Sequence, residues 1–284
     1  MKTKYTATLF MIVLFTASVY GQNAKPQDQW TTFNGNKVRF YDIGPRSKNA
    51  LVLIHGWTCN AEFWRENYNA FPQYRVIALD LPGHGQSDKP SIEYTMEYFA
   101  RSVDAVLAAT KVKRAVLVGH SMGTPVARQF YKLFPAKTIA IVNVDMALSP
   151  FGTHEQMMNF VEPVVANFPD SAVQFIDGML APIKDPSLKS FIRSTMLASP
   201  KQVAASALRQ TFDAKAWTPE RIDVPVLATV VNSGLRTPSR DDLAKVAPKV
   251  EFQLWTDASH FLMMEQPARF NGQVKSFIVR NKLL

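Results

Sequence analysis

The feature that most constrains this 284-residue chain is a rhythm. Short unbroken apolar runs alternate with longer segments whose apolar residues recur at helical spacing. The runs are Ala50–Ile54, Arg75–Leu79, Ala115–Val118 and Ile139–Val144; later in the chain Pro225–Val231 resumes the strand signal and Val250–Trp255 gives another. The segments of helical period are Phe63–Phe71, Tyr94–Ala109, Met122–Phe134 and Pro267–Val279. A short run with no polar alternation has both faces buried, which is the state of a strand inside a parallel sheet. Strand-helix alternation gives such a sheet its covering helices. Lys37–Tyr41, after an Asn34-Gly35 turn, adds a further strand. The expected fold class is therefore α/β, with a mostly parallel central sheet flanked by helices. In such sheets chemistry collects at the carboxyl ends of the strands.

The rhythm breaks between residues 148 and 221. Strand-like runs vanish, and helical pieces interrupted by Pro163, Pro169, Pro182, Pro186 and Pro200 replace them. We expect a helical cap insertion there, lying over the carboxyl edge of a core formed by 22–147 and 222–284. The insertion is rich in Met and Phe, including Met157, Phe160, Phe175 and Met179. Such stripes usually pack inside helices, but a small cap over a cleft also lines it, and adaptable Met side chains suit an apolar group. Residues 1–21 have a short basic start and an apolar stretch too short to span a bilayer comfortably. They end in Val19-Tyr20-Gly21, on a small residue, the layout of a secretory signal peptide. The expected location is secreted or periplasmic, with no stable membrane insertion after removal.

The formal charge of +9 is spread along the chain, which reads as a solvated surface and gives no reason to expect nucleic acid. Cys59 is the only cysteine, so no intrachain disulfide forms, and no dense Cys or His cluster suggests a metal. No cofactor is expected.

The run Ala115–Val118 leads into Gly119-His120-Ser121-Met122-Gly123 and then a helical segment. Strand, G-x-S-x-G, helix is the setting in which glycines permit a sharp turn and hold a serine exposed at the sheet edge. A serine hydroxyl needs a base to take its proton. Of His55, His84, His120, His154 and His260, only His260 follows the last predicted strand, beside that edge. His55, His84 and His120 sit in tight turns or loops and read as structural, and His154 as a surface residue at the start of the insertion. Ser121 as nucleophile and His260 as base are the expected pair.

Together His55-Gly56-Trp57, Asp80-Leu81-Pro82-Gly83-His84-Gly85-Gln86-Ser87-Asp88, Gly119-His120-Ser121-Met122-Gly123 and Ser259-His260-Phe261 resemble the α/β-hydrolase family in order and spacing. The resemblance implies an oxyanion hole made by the backbone N–H groups of Trp57 and Met122. It also exposes a departure. The family's acid usually follows the strand at Pro225–Val231, near Gly234, and the loop Asn232–Pro238 holds no carboxylate. Asp145, one strand earlier, is the preferred substitute, because a strand-end residue is rigidly held. Asp241 or Asp242 is the alternative. A further reading makes Asp145 a cap at the start of the insertion. Asp80 and Asp88 are read as structural.

Related haloalkane dehalogenases and epoxide hydrolases carry aspartate at the elbow, so Ser121 argues against both. The resemblance implies a serine hydrolase that cleaves a small, moderately hydrophobic carboxylic ester, thioester or lactone through an acyl-enzyme. The competing reading is a non-catalytic ligand-binding or receptor protein on the same fold.

Overall fold

The computed structural model describes residues 26–150, 152–218, 221–232 and 237–284. The expected signal segment, residues 1–21, and the loop position near Gly234 lie outside the described residues.

The chain opens with a hairpin, β1 Gln29–Phe33 and β2 Asn36–Ile43, joined at Asn34 and Gly35, both at positive φ. Then follow β3 Asn49–Ile54, β4 Val76–Leu79, α1 Met96–Ala109, β5 Arg114–His120, α2 Gly123–Leu133 and β6 Thr138–Val144. α3 His154–Val165, α4 Val173–Leu180, α5 Pro186–Leu197 and α6 Lys201–Thr211 come next without an intervening strand. The sheet resumes with β7 Val226–Val231 and, after α7 Arg240–Val246, β8 Val250–Trp255. The chain ends with α8 Leu262–Glu265 and α9 Pro267–Arg280.

The strands form one eight-stranded sheet in the order β1-β2-β4-β3-β5-β6-β7-β8. β1 and β2 are antiparallel to their neighbours, and every pairing from β4 to β8 is parallel. β4, β6 and β7 are buried at every residue, which explains why their sequences show no polar alternation. β8, at the edge, is half open and carries Glu251 and Gln253 among its apolar residues.

Three local expectations are corrected. Phe63–Phe71 is not a helix: a 3-10 turn spans Ala61–Trp64 and irregular turns follow. Its apolar residues Phe63, Trp64, Tyr68 and Phe71 are all buried, so they mimic a helical stripe while packing in several directions. The segment is held by side chains instead: Asp80 Oδ1 accepts from Ala61 N–H at 2.7 Å, and Asn67 donates to the Met263 carbonyl at 3.1 Å. β1 is a strand that the sequence does not signal, because a short strand alternating between partly and fully exposed residues carries almost no apolar pattern. Pro163 does not break a helix; it sits in the last turn of α3. Pro186 instead starts α5, where a missing N–H costs nothing, and Pro200 is the residue just before α6.

Candidate active site

Ser121 stands between β5 and α2 with φ of +51°, a left-handed conformation that a non-glycine residue adopts only under constraint. The constraint is visible. Ser121 N–H donates to the Val144 carbonyl at 2.9 Å, and the Ser121 carbonyl accepts from Thr124 N–H at 2.8 Å. Strand and helix then meet too closely for side chains. A Cβ on Gly119 would lie 2.3 Å from the Gly123 carbonyl oxygen, and one on Gly123 would lie 2.3 Å from that of Ile54. The two glycines of the pentapeptide are thus required by contact as well as by the turn.

His260 lies in the loop between β8 and α8. Its Nδ1–H donates to Asp145 Oδ2 at 2.6 Å, which leaves Nε2 as the lone-pair nitrogen. Asp145 follows β6 directly, also at positive φ (+54°), and its N–H donates to the Thr229 carbonyl. Its other oxygen, Oδ1, accepts from Val231 N–H at 2.8 Å. The carboxylate therefore reaches across the end of β7, so a residue borne by β6 meets the histidine where a β7 residue would otherwise stand. Asp241 and Asp242 lie in the first turn of α7 and do not line the cavity that holds Ser121. Asp242 is engaged in a capping box with Ser239, whose hydroxyl hydrogen bond lowers its pKa to about 2.

Gly56, Trp57, Ser121, Met122, Asp145 and His260 border one cavity of about 620 Å³. Among the described residues, no acceptor takes the backbone N–H of Trp57 or Met122. Buried backbone donors are almost always paired, so two without an acceptor, in residues that border the cavity beside Ser121, stand out. The Trp57 side chain does separate work: its indole N–H donates to the Ala204 carbonyl of α6 at 2.7 Å, and its ring packs on Phe168 and Phe175. The far wall comes from the segment between β6 and β7, including Met157, Phe160, Phe175 and Met179. Among the described residues, Asp145 is the one acidic side chain in the lining, and Lys and Arg are absent from it.

The other histidines have structural partners. His55 Nδ1–H donates to the Gly56 carbonyl at 2.8 Å, and its Nε2 accepts from Leu81 N–H at 3.0 Å, which ties the Trp57 turn to the Asp80–Asp88 loop. Burial lowers its pKa to about 4. His84 donates to the Pro82 carbonyl, and burial, followed by the nearby His55, lowers its pKa to about 3. His154 is exposed at the start of α3. Asp80 accepts from Arg39, Ala61 N–H and Gln86 N–H, and Asp88 from Lys37 N–H; both hold their loop.

Sequence reasoning misses the part played by His120. Its Nε2–H donates to the carbonyl of His260 at 2.9 Å, so the residue before the serine holds the backbone of the histidine loop. Burial pushes its pKa well below the ordinary histidine value, and its neutral form is the one that fits. Glu265 of α8 completes the brace by accepting from Ser259 N–H at 2.7 Å. Nothing in the sequence marks these contacts, because each joins segments far apart in the chain or depends on a loop's path.

The fold, the elbow and the family model agree. The α/β hydrolase fold model matches residues 49–178. The chain has the α/β-hydrolase fold. A thermophilic esterase from Thermogutta terrifontis superposes on this α/β-hydrolase with a TM-score of 0.76, covering 90% of this chain and 99% of its own at 22% identity. That likeness is one of fold. Est816, an N-acyl homoserine lactone degrading enzyme, superposes with a TM-score of 0.73 at 25% identity, covering 88% of this chain and 100% of its own. An uncharacterised Mycobacterium tuberculosis protein is 39% identical over 113 residues, 39% of this chain and 33% of its own length. The α/β-hydrolase chain thus aligns with about a third of that relative.

Proposed function

We propose that this α/β-hydrolase cleaves an uncharged, moderately hydrophobic carboxylic ester, thioester or lactone through an acyl-enzyme on Ser121. The observation that carries the reading is the hydrogen bond from His260 to Asp145 beside a serine held in a left-handed elbow, all bordering one cavity. His260 Nε2 takes the Ser121 proton as Oγ attacks the substrate carbonyl carbon. The carbonyl oxygen gains the negative charge, and the N–H groups of Trp57 and Met122 stabilise it. His260 then returns the proton to the leaving oxygen or sulfur. Water repeats the sequence on the acyl-enzyme, releasing the carboxylic acid and freeing Ser121. Asp145 keeps Nδ1 protonated and stabilises the imidazolium that forms in each half-reaction.

The substrate class follows from the lining. A wall of Met and Phe with no Lys or Arg among the described residues favours an apolar acyl group and disfavours a charged one. The Est816 likeness makes a lactone a natural member of the test panel. The ligand-binding alternative draws its weight from the missing carboxylate after β7, and the Asp145–His260 hydrogen bond weighs against it. Secretion with cleavage near residue 21 belongs to the same proposal and is tested by N-terminal sequencing of the exported protein.

The deciding experiment is hydrolysis of p-nitrophenyl esters from acetate to decanoate by the parent and by Ser121→Ala. Activity lost in the variant supports the mechanism. A folded parent that cleaves no ester or lactone and does not react with a fluorophosphonate would sink it.

A further inference from the structure

α2 begins immediately after Ser121 and Met122, so it is the element that carries the nucleophile. Arg128 lies on it about 10 Å further along the axis, at 1.5 Å per residue. The side chain is buried, at 4% exposure. Its guanidinium forks: Nη1 donates to the Leu148 carbonyl, and Nη2 donates to the Thr218 carbonyl. These two carbonyls belong to the two stems of the helical segment between β6 and β7, one where the chain leaves the sheet and one where it returns. One turn further on, Lys132 Nζ donates to Thr218 Oγ1 at 3.0 Å.

Both stems lead straight into the catalytic cavity. Leu148 follows Met146 and Ala147, which line it. On the return side, the Arg128 guanidinium lies 5.9 Å from the Trp217 ring centroid. The Trp217 indole in turn donates to the carbonyl of Thr211, the last residue of α6 and another lining residue. A planar fork suits two carbonyls that one ammonium satisfies less well, and burying a guanidinium is costly unless its donors are used.

We propose that Arg128 is a positioning residue that clamps both stems of the helical segment to the nucleophile-bearing helix, and thereby sets the length of acyl group the cavity admits. The clause about acyl length rests on the ester-hydrolase reading; the clamp itself does not.

The test pairs two readouts on the full mature protein, with Arg128→Met as the variant. Hydrogen exchange should quicken in α3–α6 by about tenfold or more while β3, β5 and β6 keep the parent's protection, as expected of a locally opened unit. On the p-nitrophenyl ester series, KM for hexanoate to decanoate should rise several-fold while kcat on acetate stays within about twofold, the pattern of lost uniform binding. Arg128→Lys should behave like Arg128→Met, because charge without the fork does not bridge the stems. Exchange that is unchanged, or faster equally in every element, overturns the clamp. Selective exchange with an unchanged chain-length profile keeps the clamp and overturns its control of acyl length. A parent that cleaves no ester fails the ester-hydrolase reading and takes the acyl-length clause with it, while exchange still judges the clamp. If Arg128→Met does not fold, the exposed Lys132→Ala carries the same test: faster exchange confined to the segment near Thr218 supports the clamp, and parent-like exchange overturns it.

Discussion

The sheet core and the helical segment spanning α3 to α6 are built on opposite plans, and the division of labour follows from that. In the core, Ser121 and Asp145 sit at strand ends and His260 in the loop after β8, and their geometry is fixed by named hydrogen bonds. Ser121 is pinned through Val144 and Thr124, Asp145 through Thr229 and Val231, and the His260 loop through His120 and Glu265. Among the described residues, the helical segment supplies no titratable group to the cavity, and Met and Phe side chains make up much of what it does supply. Unbranched Met side chains reshape at little cost. Rigidity is needed where protons move over fractions of an ångström, and adaptability where an apolar group is merely enclosed. The comparison teaches that substitutions in the core should alter rate, and those in the helical segment should alter selectivity.

The strongest challenge to that division is Ser121→Ala. It should lower kcat by about 10⁵-fold or more in single-turnover assays while leaving the melting temperature close to the parent's. Asp145→Asn comes next, with a loss of about 10⁴-fold in kcat, because the histidine loses the partner that fixes its tautomer. Asp241→Asn and Asp242→Asn should retain near-parental turnover. If one of them abolishes activity and Asp145→Asn does not, the assignment of the acid is wrong.

Acid should strike the core first. His55 stays neutral in the folded protein down to about pH 4 because of burial, whereas its unfolded value is 6.5. Between these values the unfolded chain binds the extra proton. Stability is therefore fully present above pH 6.5 and falls as pH drops toward 4, by about 3 kcal/mol from this residue. Urea titrations at pH 7 and pH 4.5 measure the loss, and an equal free energy at both would contradict the buried neutral state.

Two smaller effects sharpen the other side of the comparison. Trp57→Phe keeps the backbone N–H of the proposed oxyanion site but removes the tie to Ala204, at a cost of about 1 kcal/mol. It should raise KM for longer esters more than it lowers kcat. Met179→Leu keeps volume and hydrophobicity, so stability should change by less than about 1.5 kcal/mol. Its chain-length profile should shift by a few-fold at most, read from kcat/KM along the ester series.

Much of the fold and of the candidate site is legible in the chain's local patterns. The runs at Ala50–Ile54 and Ala115–Val118, where nothing polar intervenes, and at Ile139–Val144, where only Asn143 does, announce buried parallel strands. Gly119-His120-Ser121-Met122-Gly123 announces the elbow because only that spacing lets strand and helix close on a serine. Phe63–Phe71 misleads because a helical stripe and a buried irregular segment have the same apolar spacing. β1 is silent because its partner, not its own residues, makes it a strand.

What the sequence determined by itself is what depends on local spacing: the alternation of strand and helix, the elbow around Ser121, and the position of His260 after the last strand. What only the tertiary structure decided is which distant groups meet. Asp145 and Asp242 are both plausible carboxylates by position in the chain. One reaches His260 across the end of β7 and the other caps its own helix, because sheet order brings β6, β7 and β8 side by side. The same holds for Arg128, an ordinary position on α2 until folding sets two carbonyls from opposite stems of the helical segment within reach of a single guanidinium.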